Sequence, residues 1–368
     1  MPRILAENIK KSYGRIQALK GVTLEVQDGE YVSIVGPSGC GKTTLIKSMA
    51  GIAKPDSGKV TINDRDVTSL PIEDRGIGYV FQEIALFPHM TISDNVGYGP
   101  MVQGDSFSQR SSEVKQMLGM MSLENSAFFL PAVLSGGASQ KTAIARALAT
   151  GSSLLLLDEP LGMLDLKVRT ALRYELQKLV KDLKLTAIHV THDQEEALSI
   201  SDRVVVMRSG EIVEVGSPAD LYLRPKHLFT AKFLGEANFL EGTVNKVGDK
   251  LTVYVSGTEI KTQSSESKFD DMARCVLVIR PEFIILNAGE ATETNTWKGQ
   301  IRSSGFLGDM MRYEVETDNG LVLTVKIPLR SDETELKPKD TVTITLPEEH
   351  LLIYPHPGGD LEKELSLE

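Results

Sequence analysis

Short apolar runs separated by Gly and Asp turns dominate the first part of the chain. Residues 1–35 alternate between apolar and polar positions or run apolar, which predicts a β-rich start. Residues 42–50 predict a helix that leaves a glycine-rich loop directly. Residues 60–64 and 76–82 predict two further short strands. The chain therefore begins with strands and acquires its first helix only after a glycine-rich turn.

Helical and strand patterns alternate through the middle of the chain. Residues 107–123 predict an amphipathic helix, and a second helix is expected at about 137–150. Residues 153–158 form an apolar run that suits a strand buried on both faces. A long amphipathic helix is expected at 166–183, followed by another buried strand at 186–193. Strands that alternate with helices predict an α/β fold with a mostly parallel sheet.

The pattern changes near Gly235, where short strands with turn residues replace the helices. Asp318-Asn319-Gly320 between two apolar runs indicates a hairpin. The pattern predicts a small all-β domain. Its strand-like segments are residues 242–255, 275–281, 297–328 and 340–347.

The change of pattern sets the expected domain limits. Residues 1–234 form the α/β domain, with a helical subdomain at about 83–150, and residues 235–355 form the β domain. Residues 356–368 are expected to be a polar tail. Residues 275–286 also resemble residues 341–354, and two similar half-barrels would produce such a repeat.

Charge is unevenly divided between the two domains. The 368 residues carry 40 basic and 50 acidic side chains, a formal net charge of −10. Residues 235–368 hold 14 basic and 24 acidic side chains, so the remaining 26 of each balance to zero in residues 1–234. The first domain has no global bias toward nucleic acid or anionic lipid, and the second would repel both. We therefore expect no nucleic-acid partner.

Cysteine content and hydropathy point to a compartment. Cys40 and Cys275 alone do not make a disulfide framework, which favours a reducing compartment. The first residues lack a secretory signal, and no apolar run approaches the roughly 18 residues that a spanning helix needs. We expect a soluble protein whose membrane role is peripheral.

A phosphate-binding loop is the first motif that carries chemistry. The sequence GPSGCGKTT fits G-x-x-x-x-G-K-[ST] and lies between a predicted strand and a predicted helix. Glycines let backbone N–H groups converge on phosphate oxygens, and the helix N-terminus favours an anion. Lys42 would reach the β- and γ-phosphates, and the Thr43 hydroxyl would bind Mg²⁺. The alternative, a glycine-rich turn with a chance Lys-Thr, does not explain the strand and helix around it. The candidate nucleotide-binding residues are Gly36, Pro37, Ser38, Gly39, Cys40, Gly41, Lys42, Thr43 and Thr44.

A buried strand that ends in two acids supplies the second motif. LLLLLDEP ends in Asp158-Glu159-Pro160. Asp158 at the tip of this strand suits a role at Mg²⁺, and Glu159 would orient and deprotonate water at the γ-phosphate. Alone, an acidic turn that closes a strand would explain these residues equally well. Beside a phosphate loop, the catalytic interpretation is favoured.

A phosphate loop and a strand that ends in acids are shared by many nucleotide-hydrolysing proteins, and a third motif distinguishes among them. Leu134-Ser135-Gly136-Gly137 precedes Asp158 and opens a predicted helix. With Gln82, Asp165 and His192 in order along the chain, the set resembles the ABC ATPase family, whose signature reads LSGGQ. The resemblance implies that Ser135, Gly136 and Gly137 bind the γ-phosphate of an ATP held by the other subunit's phosphate loop.

The resemblance also implies roles for single residues. Tyr13 matches the aromatic that stacks on adenine. Gln82 matches the glutamine that touches Mg²⁺ and the attacking water, and Asp165 matches the aspartate at the dimer seam. His192 matches the switch histidine that contacts the γ-phosphate. Each alone has a structural alternative, such as a half-buried aromatic or a surface amide. These four residues favour a functional over a structural interpretation only together, because they occur in the order and at the spacing of the family.

Three positions depart from the family pattern. Ala138 stands where the signature usually has Gln, and Lys141 replaces a common Arg in the same helix. Gly162-Met163 replaces the usual Ser-Ala or Ser-Asn before Leu164-Asp165. The Ser and both glycines of the signature remain, so we expect ATP binding to be kept. We expect a weaker or slower ATP dimer, because Ala138 removes an amide near the facing nucleotide and Gly162 loosens the seam loop.

The appended β domain indicates the importer branch. ABC importer ATPases that serve polyamines, ferric iron, sugars or oxyanions carry a pair of OB-like barrels after the cassette. The resemblance implies a homodimer that closes on two ATP molecules at the cytoplasmic face of the membrane. Residues 83–100, with Phe87 and Pro88 as apolar contacts, would receive the transmembrane permease subunits. An extracytoplasmic substrate-binding protein would act indirectly.

Two other classes are weighed against a transporter. Chromosome, repair or translation ATPases of the same family need long coiled coils or two cassettes in tandem, and the chain has one cassette and no extended heptads. A binding module with a degenerate site is opposed by the intact Lys42, Asp158, Glu159 and His192. Co-purification with a membrane permease separates the transporter from these alternatives.

Overall fold

The chain forms two compact units, Met1–Leu223 and Arg224–Glu368. The computed structural model describes residues 2–247, 250–263, 269–287, 294–329 and 336–366. None of the helices in these ranges is both long and apolar enough to cross a bilayer.

The first unit mixes strands and helices along its whole length. Its strands are β1 (Ile4–Tyr13), β2 (Ile16–Val26), β3 (Tyr31–Val35), β4 (Ser57–Ile62), β5 (Arg65–Asp66), β6 (Ile77–Val80), β7 (Leu154–Asp158), β8 (Thr186–Val190), β9 (Arg203–Arg208) and β10 (Glu211–Gly216). Its helices are α1 (Lys42–Ala50), α2 (Ile92–Gln103), α3 (Phe107–Met120), α4 (Gly136–Leu148), α5 (Leu166–Asp182), α6 (Gln194–Ile200) and α7 (Pro218–Leu223). The predicted helices at 42–50, 107–123, 137–150 and 166–183 correspond to α1, α3, α4 and α5.

Two sheets build the first unit. A four-stranded sheet has the order β2-β1-β4-β5 with antiparallel pairs. A six-stranded sheet has the order β10-β9-β3-β8-β7-β6, in which β10 joins β9 antiparallel and the other pairs are parallel. The prediction of a mostly parallel α/β sheet is confirmed. Every residue of β3, β7 and β8 is buried, which explains why the apolar run before Asp158 is continuous.

The parallel strands bring four loops to one edge of the sheet. Asp158 pairs with Val190, Ile34 pairs with the same residue, and Val80 pairs with Leu157. The carboxyl ends of β3, β6, β7 and β8 therefore lie side by side, where α/β proteins usually bind their ligands. The loops that begin there contain the sequence motifs.

Helices α2, α3 and α4 lie within the predicted helical subdomain of residues 83–150. They share an apolar core, with Val96, Val114 and Ile144 packed against Leu155 and Leu157 of β7. The sequence prediction did not identify α2. Its N-cap Thr91 and Asp94 form a capping box, so the signal was present in the short motif Thr-Ile-Ser-Asp.

The second unit is mainly β. Its strands are β11 (Asn238–Val247), β12 (Lys250–Val255), β13 (Thr258–Lys261), β14 (Arg274–Ile279), β15 (Ile285–Asn287), β16 (Thr296–Phe306), β17 (Met310–Thr317), β18 (Val322–Pro328), β19 (Thr341–Thr345) and β20 (Leu352–Pro355). Two short helices, α8 (Leu228–Phe233) and α9 (Leu361–Leu365), flank them. The all-β prediction is confirmed, and the hairpin expected at Asp318–Gly320 joins β17 to β18.

The described residues of the second unit form two five-stranded sheets that exchange strands. Their orders are β13-β12-β11-β14-β20 and β15-β19-β16-β17-β18, with antiparallel pairs. After β14 the chain crosses to the other sheet as β15, and after β19 it crosses back as β20. Phe283 and His350, one in each crossing turn, stack with ring centroids 4.1 Å apart. The weak sequence repeat thus corresponds to a structural one.

Both ends of the second unit differ in detail from the sequence expectations. Leu228 and Ala231 of α8 pack with Val276, Val278 and Tyr354, so this helix belongs to the second unit. The boundary at 234/235 stays a prediction about the functional domains. The expected polar tail contains α9, which packs its leucines against the same cluster. The tail's last two residues, 367–368, lie outside the described residues.

Candidate active site

The loop between β3 and α1 is closed over the Lys42 side chain. Lys42 Nζ donates to Gly36 O at 2.7 Å and to Pro37 O at 3.0 Å, and the side chain is buried. Gly41 at the N-cap of α1 has φ +107°, and a Cβ there would lie 2.5 Å from Ala18 O. Since this N-cap has no side chain, the first amides of α1 stay available to an anion.

The other residues of the phosphate loop line the same turn. Ser38 and Gly39 are exposed, whereas Cys40 is 4% exposed with its Sγ 3.9 Å from Lys42 Nζ. Burial raises the pKa of the Cys40 thiol, and the nearby ammonium opposes this. Thr43 and Thr44 follow in the first turn of α1. All nine predicted residues of the loop therefore lie together.

Asp158 connects the phosphate loop to the end of β7. Its Oδ1 accepts from the Thr43 hydroxyl at 2.9 Å, and its Oδ2 accepts from the Tyr79 hydroxyl at 3.0 Å. Asp158 is 2% exposed. Burial and then the neighbouring carboxylate raise the pKa of Tyr79 far above its ordinary value, so this hydroxyl stays a donor. A carboxylate and a hydroxyl beside a phosphate site are oxygen ligands of the kind that Mg²⁺ accepts.

Glu159 lies at the centre of a second group. Its Oε2 accepts from Gln82 Nε2 at 3.0 Å and lies 3.4 Å from His192 Nδ1. The backbone of Glu159 is left-handed at φ 48°, and its N–H donates to Val190 O at 2.9 Å. Such a conformation is costly for a residue other than glycine and is common at functional sites. The fold thus brings together the three residues that the sequence singled out for catalysis.

The signature residues and Asp165 lie at the N-terminal ends of two helices, α4 and α5. Ser135 is the N-cap of α4 and accepts from Ala138 N at 3.3 Å, and Asp165 caps α5 by accepting from Val168 N at 3.1 Å. A Cβ on Gly136 would lie 3.1 Å from Leu164 Cδ2, and one on Gly137 would lie 2.8 Å from Val168 Cγ1. The signature helix therefore packs closely on the segment that carries Asp165.

Tyr13 and the signature are not joined to the phosphate loop by any hydrogen bond in the described ranges. Tyr13 lies at the end of β1, is 51% exposed, and has Lys11 Nζ 5.5 Å from its ring centroid. Ser135 and Gly136 are exposed at the N-terminus of α4. The Tyr13 ring and the N-terminus of α4 are therefore both accessible from solvent.

The positions that depart from the family pattern have defined environments. Ala138 is half-buried at the start of α4, and Lys141 forms an ion pair with Glu175 of α5 at 2.5 Å. A Cβ on Gly162 would lie 3.5 Å from Glu159 O and 3.7 Å from His192 Cε1, which is ordinary contact. The local packing therefore accommodates a serine at position 162.

The sequence analysis missed one residue of this site and one residue that supports the far end of α1. Tyr79 reaches Asp158 because the register of β6 and β7 pairs it with Leu156, and only that pairing reveals the contact. Arg75 is 6% exposed and donates to four backbone carbonyls, two of them at the C-terminal end of α1. Neither residue belongs to a motif.

A groove of about 540 Å³ opens on the helical subdomain. Six of its lining residues fall within the predicted permease surface of residues 83–100: His89, Met90, Ser93, Asp94, Gly97 and Tyr98. Phe87 is half-buried beside Tyr98, with ring centroids 4.5 Å apart, whereas Pro88 is exposed. Phe107 and Phe128 add aromatic surface from the other side, and they are 76% and 86% exposed.

Comparison with protein families gives two matches. The ABC transporter family matches residues 19–162, and the TOBE domain matches residues 277–353. The first match contains the phosphate loop, the signature residues and the acid-tipped strand. The second lies within the β unit.

Individual proteins match over most of the chain. The Fe(3+) ions import ATP-binding protein FbpC of Rhizobium etli is 39% identical over 92% of this chain and 94% of its own length. The spermidine/putrescine import ATP-binding protein PotA of Thermobifida fusca is 38% identical over 96% and 94%. The dimeric structure of the ATP-binding cassette MJ0796 bound to ADP and Pi is 34% identical, with a TM-score of 0.53, over 58% of this chain and 98% of that chain.

Proposed function

Since the chain belongs to the family of ABC transporter import ATP-binding proteins, we propose that it is the ATP-hydrolysing subunit of an import complex. One observation carries the proposal. Lys42, the Thr43–Asp158 pair and the Glu159–Gln82–His192 group converge at the carboxyl edge of one parallel sheet. Phosphate binding, metal binding and activation of water need these groups at one place.

Each residue of this edge has a role in hydrolysis. Lys42 leaves the carbonyls of its own loop and donates to the β- and γ-phosphates, while the amides at the start of α1 hold the remaining oxygens. Glu159 accepts a proton from the attacking water. Gln82, which already donates to Glu159, orients that water, and His192 contacts the γ-phosphate. Tyr13 stacks on the adenine.

Thr43, Asp158 and Gln82 are proposed to hold Mg²⁺. The Thr43 hydroxyl and Asp158 carboxylate lie 2.9 Å apart and supply oxygen atoms, the donors that this ion prefers. Held by these residues, Mg²⁺ would neutralise charge that develops on the phosphate oxygens. Tyr79 fixes the second oxygen of Asp158 so that the first faces Thr43.

The open signature is completed by a second copy of the chain. Ser135, Gly136 and Gly137 present a hydroxyl and free amides at the N-terminus of α4. We place them, with Asp165, against the ATP that the phosphate loop of the other copy holds. Two copies thus close on two ATP molecules, and hydrolysis reopens them.

The remaining assignments extend this proposal. Residues 1–234 form the cassette and residues 235–355 an OB-like accessory domain, at the cytoplasmic face of the membrane. Permease subunits dock on residues 83–100 at the groove beside α2, where exposed aromatic side chains favour a partner with an apolar segment. An extracytoplasmic binding protein delivers the cargo, which we place among ferric iron, polyamines, sugars and oxyanions.

Hydrolysis of Mg-ATP by the purified chain tests the catalytic proposal. Glu159→Gln removes the proton acceptor and keeps the shape, so we expect hydrolysis to fall by at least about a hundredfold. Size exclusion in ATP should then show a stable dimer of the variant. Glu7→Gln, an exposed residue of β1, is the matched control. Equal hydrolysis by the wild type and Glu159→Gln contradicts the proposal.

A further inference from the structure

Two loops that contact Glu159 are anchored at the same place on α5. One is the seam loop, residues 160–165, which ends at Asp165. The other is the switch turn, residues 191–193, which contains His192. We propose that Arg169 is a positioning residue that joins these two loops and thereby ties the phosphate sensor of one ATP site to the signature that serves the other. This inference rests on the proposed function.

Arg169 holds the backbone of the seam loop. Its Nη2 donates to Leu164 O at 2.9 Å and to Gly162 O at 3.3 Å. Its Nη1 lies 3.5 Å from Asp193 Oδ2, and both side chains are about one-fifth exposed, at 21% and 19%. One planar guanidinium therefore spans both loops, a geometry that a lysine ammonium does not reproduce.

Asp193 holds the switch turn from the other side. Its Oδ1 accepts from Glu196 N at 3.0 Å as the N-cap of α6, and its N–H donates to Thr191 Oγ1 at 3.0 Å. Its Oδ2 faces Arg169 and also Arg173, a fully buried residue whose Nη2 is 3.6 Å away. The residue that follows His192 is thus fixed between a helix cap and two cations.

The seam loop transmits its position to the signature helix. Leu161 and Leu164 are buried with Leu172 of α5, so the loop packs directly against this helix. Leu164 is also the side chain that a Cβ on Gly136 would meet at 3.1 Å. A shift of the carbonyls that Arg169 holds therefore changes the packing surface of the signature.

These contacts form one continuous path within the chain. His192 lies 3.4 Å from the Glu159 carboxylate, Asp193 follows it, and Arg169 connects Asp193 to the seam loop and the signature. Close packing transmits small displacements because neighbouring groups cannot absorb them. Contact of His192 with a γ-phosphate thereby sets the position of the signature in the same copy.

The test uses the full chain and steady-state Mg-ATP hydrolysis over a range of ATP concentrations. Arg169→Gln removes the guanidinium that joins the two loops. Asp193→Asn removes the negative charge that faces Arg169, while the asparagine side chain still caps α6. Lys181→Gln is the matched control. Lys181 is also a cation of α5 that pairs with a carboxylate, that of Asp202, but it lies at the other end of the helix from both loops. Nucleotide affinity and thermal unfolding are measured for each variant.

We expect both link variants to lower kcat by about tenfold or more, because misplaced catalytic groups lose rate steeply. Binding of ATP to the phosphate loop should change by less than about twofold, which separates kcat from KM. The Hill coefficient should fall toward one. The losses of the two single variants should not add fully in the double variant, since both remove the same link. Arg169→Lys should recover only part of kcat, since it keeps the charge and loses the fork.

Other results would overturn the inference. It fails if the link variants match Lys181→Gln in kcat and Hill coefficient, or if their losses add fully in the double variant. If Arg169→Gln does not fold, Asp193→Asn alone decides, because its cap is preserved. Failure of the proposed function looks different: Glu159→Gln then hydrolyses ATP as fast as the wild type.

Discussion

Arg75 stabilises the far end of the helix that begins at the phosphate loop. Its Nη1 donates to Met49 O at 2.8 Å and to Ser48 O at 3.3 Å, and its Nη2 and Nε donate to Thr68 O and Leu70 O at 3.0 and 2.8 Å. The last carbonyls of a helix have no partner within the helix. We predict that Arg75→Met destabilises the first unit.

The magnitude follows from the carbonyls that lose their donor. Ser48 O keeps the Gly51 N–H at 3.2 Å, so it is not stranded. Met49 is fully buried, and its carbonyl loses a charged donor, which costs about 1–3 kcal/mol. Thr68 and Leu70 are half-buried residues, so we expect their carbonyls to regain water in part. The three carbonyls together lose more than this single contribution. Methionine offsets part of the loss because it no longer requires burial of a cation, so we expect a net destabilisation of about 2–4 kcal/mol.

Calorimetric unfolding measures this loss. For 150–250 residues, about 1 kcal/mol shifts the melting temperature by about 2–4 °C, so Arg75→Met should lower it by about 4–16 °C. The transition to follow is the one that Mg-ATP raises, since a ligand stabilises the unit that binds it. Arg65→Met, an exposed arginine of β5, is the control.

A second perturbation reaches the same contacts from the helix side. Gly51 has φ +85°, and a Cβ there would lie 2.5 Å from Arg75 Nε. Gly51→Ala should therefore lower the same transition, both by displacing the guanidinium and by straining the left-handed backbone. If Arg75→Met and Arg65→Met melt within about 2 °C of each other, the carbonyls of α1 do not depend on Arg75 and the reasoning is refuted.

Three further predictions concern the site itself. Tyr79→Phe frees one oxygen of Asp158, so the Mg²⁺ concentration for half-maximal hydrolysis should rise by about tenfold. Ala138→Gln restores an amide at the signature and should raise both the hydrolysis rate and the ATP-dependent dimer fraction in size exclusion. Cys40 should react slowly with iodoacetamide at pH 7.5 and faster above pH 9, because burial raises the pKa of its thiol from the ordinary 9.0, and only the thiolate reacts. Bound ATP should protect Cys40, as mass spectrometry of the labelled chain can show.

Each of these has a contrary result. An unchanged Mg²⁺ dependence means that Thr43 alone orients Asp158. Unchanged rate and dimer fraction in Ala138→Gln mean that the departure at this position is silent. Rapid labelling of Cys40 at neutral pH, with or without ATP, means that the phosphate loop opens in solution.

Local sequence patterns predicted those elements whose conformation or burial depends mainly on residues next to each other in the chain. The leucine run before Asp158 indicated a strand buried on both faces because every side chain had to be apolar. The phosphate loop was predictable because its spacing is fixed by the path of one turn. The Asp318–Gly320 hairpin was predictable because its turn needs the left-handed backbone that Gly320 adopts at φ 78°.

Contacts between distant positions were not predictable in this way. Tyr79 meets Asp158 only through the register of two strands, and Arg169 meets Asp193 across 24 positions. Such pairs leave no periodic signal, because their spacing depends on the packing of whole elements. Glu159 was assigned from its place at the end of a buried strand, and Gln82 and His192 were assigned from the resemblance. In the structure, Gln82 Nε2 lies 3.0 Å and His192 Nδ1 lies 3.4 Å from the Glu159 carboxylate.

The exchange of strands in the second unit constrains the order in which that unit folds. In its first sheet β14 lies between β11 and β20, so one edge of β14 can pair only after β20, the last strand, has been made. Contacts of such long sequence separation slow folding. While the chain emerges from the ribosome, β14 carries an unpaired edge, which is open to wrong partners. The second unit should therefore form as a whole after its last strand is made, and a chaperone that covers this edge would raise the yield.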